Sequence, residues 1–105
     1  MALKLSWAPE AREDVKAIAS YIERDSPWYA RIVVAKIIET AKDIPDFPAV
    51  GRIVPEIGDK NIRERFVYSY RLIYRVETSR IIIAAVIHGS RLLDPINQWI
   101  EKAEA

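Results

Sequence analysis

The stretch Ile62–Arg91, IRERFVYSYRLIYRVETSRIIIAAVIHGSR, decides how this chain is read. It resolves into three consecutive strand patterns. Ile62–Val67 alternates apolar and charged residues. Tyr70–Val76 puts Tyr70, Leu72, Tyr74 and Val76 on one side and Arg71, Ile73 and Arg75 on the other. Ile81–Ile87 is apolar on both sides and rich in β-branched residues, as a central strand covered on both faces must be. The breaks between them, Tyr68-Ser69 and Glu77-Thr78-Ser79-Arg80, suit hairpin loops, so the simplest topology is an antiparallel meander. Arginine dominates the charge here: Arg63, Arg65, Arg71, Arg75, Arg80 and Arg91 stand against Glu64 and Glu77. Alternation gathers several of these guanidinium groups on one face or one rim. The sheet is therefore expected to present the chemistry and the remainder to support it.

Working outward, the whole chain of 105 residues suits a single domain, residues 1–105, with one hydrophobic core. It contains no cysteine, which excludes disulfides and thiolate metal sites, and a lone histidine, His88, argues against a histidine zinc site. No cofactor or metal is expected. The N-terminal Met1-Ala-Leu-Lys-Leu lacks the apolar core of a signal peptide, and no apolar run is long enough to span a membrane. A cytoplasmic protein is the expectation. The net charge is only +1, but it is unevenly spread. Residues 1–46 are close to neutral, 47–93 are basic and the final dozen slightly acidic. A basic sheet on a neutral support suits an anionic partner, nucleic acid or an acidic protein segment. The same charge also suits a solvated strand face with arginines for solubility.

Before the sheet come a short strand at Leu3–Trp7 and two helices. Pro9 opens the first at a position where a missing N–H costs nothing, and Ala11, Val15, Ile18, Ala19 and Ile22 form its apolar stripe to about Arg24. Ser26 and Pro27 open the second, with Ala30, Val34, Ile37, Ile38 and Ala41 as the apolar face and Pro45 as the stop. The short break makes them an antiparallel hairpin, with Trp28 and Tyr29 as anchoring aromatics at its corner. Residues 45–60, broken by three prolines and two glycines, form an ordered loop without regular structure, held down by Phe47, Val50, Ile53 and Ile57. Asp94-Pro95 starts a last short helix whose stripe is Ile96, Trp99 and Ile100, too short to stand alone in water.

In this order the chain resembles the RelE/ParE superfamily of toxins from bacterial type II toxin–antitoxin modules. The resemblance is carried by Leu5-Ser6-Trp7 with Ala8-Pro9-Glu10-Ala11, by Ser26-Pro27 with Ala30, and by Pro48-Ala-Val-Gly51-Arg52. It continues through Ile62-Arg63-Glu64, Tyr70-Arg71-Leu72-Ile73-Tyr74-Arg75 and Val86-Ile87-His88-Gly89-Ser90-Arg91. It implies an α+β fold in the order β-α-α-β-β-β-α, the helical hairpin packed on a mainly antiparallel twisted sheet. It also implies a growth-inhibiting toxin, associated with plasmid stabilisation, that is held inactive by an antitoxin from the adjacent gene. RelE-like members cut messenger RNA on the ribosome, whereas ParE-like members poison DNA gyrase.

RNA cleavage by a 2′-hydroxyl needs a base, an acid for the leaving oxygen and cations for the developing charge. Arg71 matches the arginine of the RelE-like Tyr-Arg-Leu-Val-Tyr strand. RelE's lysine pair is replaced near Ile62 and Glu64, and the His-Tyr ending of another nuclease subgroup is replaced by His88-Gly89. Arg71, His88, Arg91 and Glu56 are therefore the catalytic candidates of an endoribonuclease alternative, Glu56 by loose alignment. His88 otherwise reads as a structural imidazole, bonded to backbone or a carboxylate, and Arg63 and Glu64 as a cross-strand ion pair. The incomplete nuclease set favours a ParE-like gyrase inhibitor; a non-toxic basic binding module is the third reading. Arg63, Arg65, Arg75, Ile96, Trp99 and Ile100 are the candidate antitoxin contacts, unless a homodimer buries the same C-terminal helix.

Overall fold

Proline fixes where both helices begin. In the computed structural model of the protein, which describes residues 3–91, Pro9 and Pro27 each occupy the first turn, and the Ser26 hydroxyl accepts the Tyr29 N–H at 3.0 Å. The elements run β1 (Lys4–Trp7), α1 (Pro9–Glu23), α2 (Pro27–Asp43), a 3-10 turn at Ile44–Asp46, β2 (Arg52–Ile53), β3 (Ile62–Val67), β4 (Tyr70–Val76) and β5 (Arg80–His88). The C-terminal helix expected after Asp94, with Ile96, Trp99 and Ile100, lies outside the described residues.

The five strands form one mixed sheet in the order β1-β5-β4-β3-β2. The meander is as expected: β3 pairs antiparallel with β4 from Ile62↔Arg75 to Val67↔Tyr70, and β4 antiparallel with β5 from Tyr70↔His88 to Val76↔Ile81. β1 joins parallel to β5, Lys4↔Arg80 to Trp7↔Ile83. β5 thus lies inside the sheet, and its apolar run Ile81–Ile87 is buried along its whole length. Between Ile73↔Ala85 and Tyr74↔Ile83 the register slips, leaving Ala84 as the extra residue of a bulge.

Four expectations are corrected. The 45–60 segment is not free of regular structure, because Arg52 and Ile53 pair with Glu64 and Arg63 as a short edge strand. The buried stripe of α2 is Ala30, Val33, Ile37, Thr40 and Ala41, running on to Ile44; Val34 is half-buried and Ile38 is 40% exposed. At 100° per residue, Ile37 and Ile38 cannot both point down, and the stripe that continues to Ile44 takes the core. Trp28 and Tyr29 do not anchor the corner, since both are exposed and Tyr29 leans instead on Tyr68, ring centroids 6.4 Å apart. Phe47, Val50 and Ile53 are exposed too.

Polar pins hold the first half of that loop. The buried Tyr74 hydroxyl accepts the Gly51 N–H at 2.9 Å and donates to the Pro48 carbonyl at 2.8 Å. Arg63 donates to the Gly51 carbonyl at 2.8 Å and the Lys60 carbonyl at 2.9 Å. Gly51 is required by the close approach: a Cβ there would lie 2.6 Å from both the Glu64 carbonyl oxygen and the Tyr74 hydroxyl. Beyond it, Val54 is the loop residue that enters the core, with Ile57 packed against it.

Ile37→Ala is expected to cost about 2–5 kcal/mol, as for other large-to-small changes in a closed core. Ile38→Ala, one position along, is expected to stay within about 0.5 kcal/mol. Urea unfolding of the two variants checks the assignment of the helix faces.

Candidate functional site

β4 directs Arg71 to the sheet face that carries Glu64 of β3, because Glu64 pairs with Ile73 and alternate residues share a face. The loop returns Glu56 to the same place. Val54 is tied to Ile62 by a 3.1 Å main-chain bond, and the Ile57 and Gly58 N–H groups close a turn on the Val54 carbonyl, Gly58 at φ 74°. Glu56 then meets Arg71 as a bidentate pair, Nη1 to Oε2 at 2.6 Å and Nη2 to Oε1 at 2.7 Å. Arg71 Nε donates to Glu64 Oε1 at 2.6 Å, and Nη1 also reaches the Arg91 carbonyl at 3.1 Å. Glu64 receives a second guanidinium, Arg52 Nε at 2.6 Å, while Arg52 lies 5.1 Å over the Phe66 ring.

These four side chains form a charge-neutral quartet. The Arg71 side chain is 4% exposed and that of Glu64 0%, so neither ion survives there without the other. The hydrogen bonds it donates to Glu56, then those to Glu64, hold Arg71 still further above its ordinary value against the opposing effect of burial. The guanidinium expected to hold phosphate is therefore saturated by carboxylates.

His88 is elsewhere. The register pairs Tyr70 with His88 and Arg71 with Ile87, so His88 and Arg71 leave opposite faces of the sheet. His88 is exposed beside the helices, its Nδ1 2.7 Å from Ser90 Oγ and 3.3 Å from the Ser90 N–H it accepts, its ring edge-on to Tyr70 at 5.9 Å. Of the catalytic candidates, Glu56, Arg71 and the main chain of Arg91 come together, and His88 does not join them. Among the contact candidates, Arg63 is bound to loop carbonyls rather than to Glu64, Arg75 lies 3.7 Å from Glu77, and Arg65 is half-buried with no ion pair among the described residues. No group of three or more His, Asp or Glu side chains among the described residues is placed to hold a metal ion.

Sequence reasoning missed the role of Glu64 and Arg52. The signal was present: Glu64 alternates with Ile62, an inward position, and only a paired carboxylate is tolerated there. It also missed a second site on the helix face. A cleft of about 610 Å³ runs between the hairpin corner, the β3–β4 turn and the end of β5, lined by Tyr21, Tyr29, Tyr68, Tyr70, Asp14 and His88 among others. In its wall Asp14 Oδ2 accepts the Val86 N–H at 3.0 Å, beyond the point where β1 stops covering β5. Burial raises the Asp14 carboxyl above its ordinary value, with the Glu10 charge adding to it and the Val86 bond and Arg91 opposing. Burial also raises the Tyr70 phenol, with Tyr21 and Tyr29 nearby adding to the effect.

The sequence profile of the ParE toxin of type II toxin–antitoxin systems, parDE, matches residues 5–93. The chain belongs to the ParE toxin family. Solved structures agree with the ParE fold. A chromosomal ParDE toxin–antitoxin system from P. aeruginosa superposes with a TM-score of 0.69 at 22% identity, covering 83% of this chain and 96% of that one. A mutant of the E. coli toxin RelE in the free state gives 0.63 at 15% identity, over 99% of this chain and 96% of that one. The YoeB dimer from Staphylococcus aureus gives 0.58 at 24% identity, over 84% and 98%. No curated protein matches the sequence. Among the described residues of this ParE-family chain, no helix is long and apolar enough to cross a membrane.

Arg71→Ala removes the guanidinium that faces both Glu56 and Glu64 and is expected to cost about 3–5 kcal/mol, read by chemical denaturation. Asp14→Asn keeps the acceptor for Val86 and removes the charge. A raised carboxyl value means the folded protein holds its proton longer than the unfolded chain, so stability from this group is present below 3.8 and lost as pH rises through the raised value. The variant is expected to gain on the wild type at pH 7, and the gain to shrink as pH falls toward 4.

Proposed function

We propose that this ParE-family chain is a toxin that acts in the cytoplasm by contact with DNA gyrase, blocking replication, and that a cognate antitoxin neutralises it. One observation carries the choice against RNA cleavage: the Arg71 guanidinium is buried and bonded on every side, to Glu56, Glu64 and the Arg91 carbonyl. A phosphate has to displace two carboxylates to reach it. His88, the one histidine of the chain, is on the other face of the sheet and does not reach a phosphate held there. What remains is a surface for protein contact. The P. aeruginosa relative is a ParDE toxin–antitoxin system, and a heterotetrameric YoeB–YefM toxin–antitoxin complex from Staphylococcus aureus is 25% identical with a TM-score of 0.54. Both support an antitoxin partner here, with Arg65, Arg75 and the C-terminal Ile96, Trp99 and Ile100 as proposed contacts.

A second reading is favoured by the same cluster. Glu56 lies beside Arg71, so an endoribonuclease using these two, with Arg91 meeting them only through its carbonyl, is the alternative.

Inducible expression in bacteria separates the two. Gyrase poisoning is expected to give filamentous cells with an induced DNA-damage response, and His88→Ala is expected to be as toxic as the wild type. Rapid translation arrest with codon-phased cuts in messenger RNA, lost in Glu56→Gln, overturns this reading in favour of the nuclease.

A further inference from the structure

The tyrosine-lined cleft on the helix face plays no part in the Arg71 quartet and has its own chemistry. Three exposed rings, Tyr21, Tyr29 and Tyr68, stand around a mouth whose inner wall holds Tyr70 and Asp14, with Asp25 at the hairpin corner. Tyr68 occupies the two-residue turn between Val67 and Tyr70 with φ 53°, a region in which a bulky side chain is strained and glycine or asparagine is not. Nothing in the turn itself calls for a tyrosine. The ring is over half exposed and rests only on the rim, against Tyr29. A strained residue held where its side chain forms the wall of a cleft marks a position kept for what the cleft contacts.

The chemistry of the lining selects the occupant. Aromatic faces present the negative side of their quadrupole, and a partly buried carboxylate with one hydrogen bond still attracts positive charge. Asp14 and Asp25 outweigh Arg91, the one fixed cation in the lining, whose charge also acts on Asp14. We infer that this cleft receives a cationic side chain, arginine or lysine, from a partner protein, its alkyl stem against the tyrosine faces and its charge directed to Asp14. The inference rests on the reading of this chain as a toxin that works through protein contact. It adds that the partner is not purely acidic: a segment that meets the arginines of the sheet also carries a basic anchor for the opposite side of the domain.

The test is a titration of the purified full chain with Nα-acetyl-arginine methylamide and its lysine counterpart, followed by amide chemical shifts, with the norleucine analogue as the neutral control. Shifts confined to Asp14, Tyr29, Tyr68–Tyr70 and His88, seen with the cations and weaker by about fivefold or more with norleucine, are expected. Asp14→Asn is expected to weaken the cations by a similar factor and to leave norleucine unchanged. Tyr68→Asn removes the ring and relieves the turn, so it is expected to be at least as stable as the wild type while losing the cation-dependent shifts. Equal response to norleucine, shifts elsewhere or none, or unaltered binding in Tyr68→Asn each overturn the inference. Filamentation on expression is read separately, so loss of the cleft and loss of the toxin reading are distinguishable.

Discussion

The guanidinium of Arg71 is the constraint on which much of this molecule depends. Its side chain has almost no access to water, and it is tolerated there because Glu64 comes from the neighbouring strand and Glu56 from the loop. Each carboxylate brings a part of the chain with it. Glu64 draws in Arg52 and hence the edge strand β2, and Glu56 fixes the far end of the loop. The buried Arg71–Glu64 pair at the centre of the quartet adds little net stability, because desolvating those two charges costs about as much as their attraction returns. Its effect is specific geometry: the loop has one place in which these charges are all satisfied.

Tyr74 does similar work on the opposite face. Its hydroxyl is buried to 0% exposure with the rest of the residue, yet it is bonded to the loop at both Pro48 and Gly51. The segment therefore crosses the sheet edge pinned on each side, and its large apolar residues Phe47, Val50 and Ile53 are left outward. The two faces are thereby given different characters. One is a closed ionic cluster and the other, beneath the hairpin, is an open aromatic cleft.

What was legible in the sequence is what alternation and punctuation encode. Pro9, Pro27 and Ser26 mark the helix starts, and the all-apolar Ile81–Ile87 marks an interior strand, because these depend on neighbours in sequence. Ile38 was misread because a helix with apolar residues at both 37 and 38 has two possible stripes, and the choice rests on the 3-10 turn that carries Ile44 inward. Edge strand β2 was invisible because two residues have no period; it exists through pairing with β3. The site was half legible. Arg71 and Glu56 were found and do meet, but a list of residue types cannot say that His88 points away, since that follows from the parity of its register with Tyr70.

The parallel pairing of β1 with β5 has a consequence for how the chain comes to be folded at all. Residues 4–7 wait for residues 80–83, so the first strand made is the partner of the last, and β5, between β1 and β4, is the piece that joins the two. The helical hairpin, built from near neighbours, has its contacts early; the sheet has its longest ones at the end. A chain terminated before Arg80 lacks the strand that both β1 and β4 border, so β1 has no neighbour in the sheet and the β2–β3–β4 ladder ends on an unpaired β4 edge. The sheet is accordingly complete only once residues 80–88 are present, so its closure is a late event in synthesis.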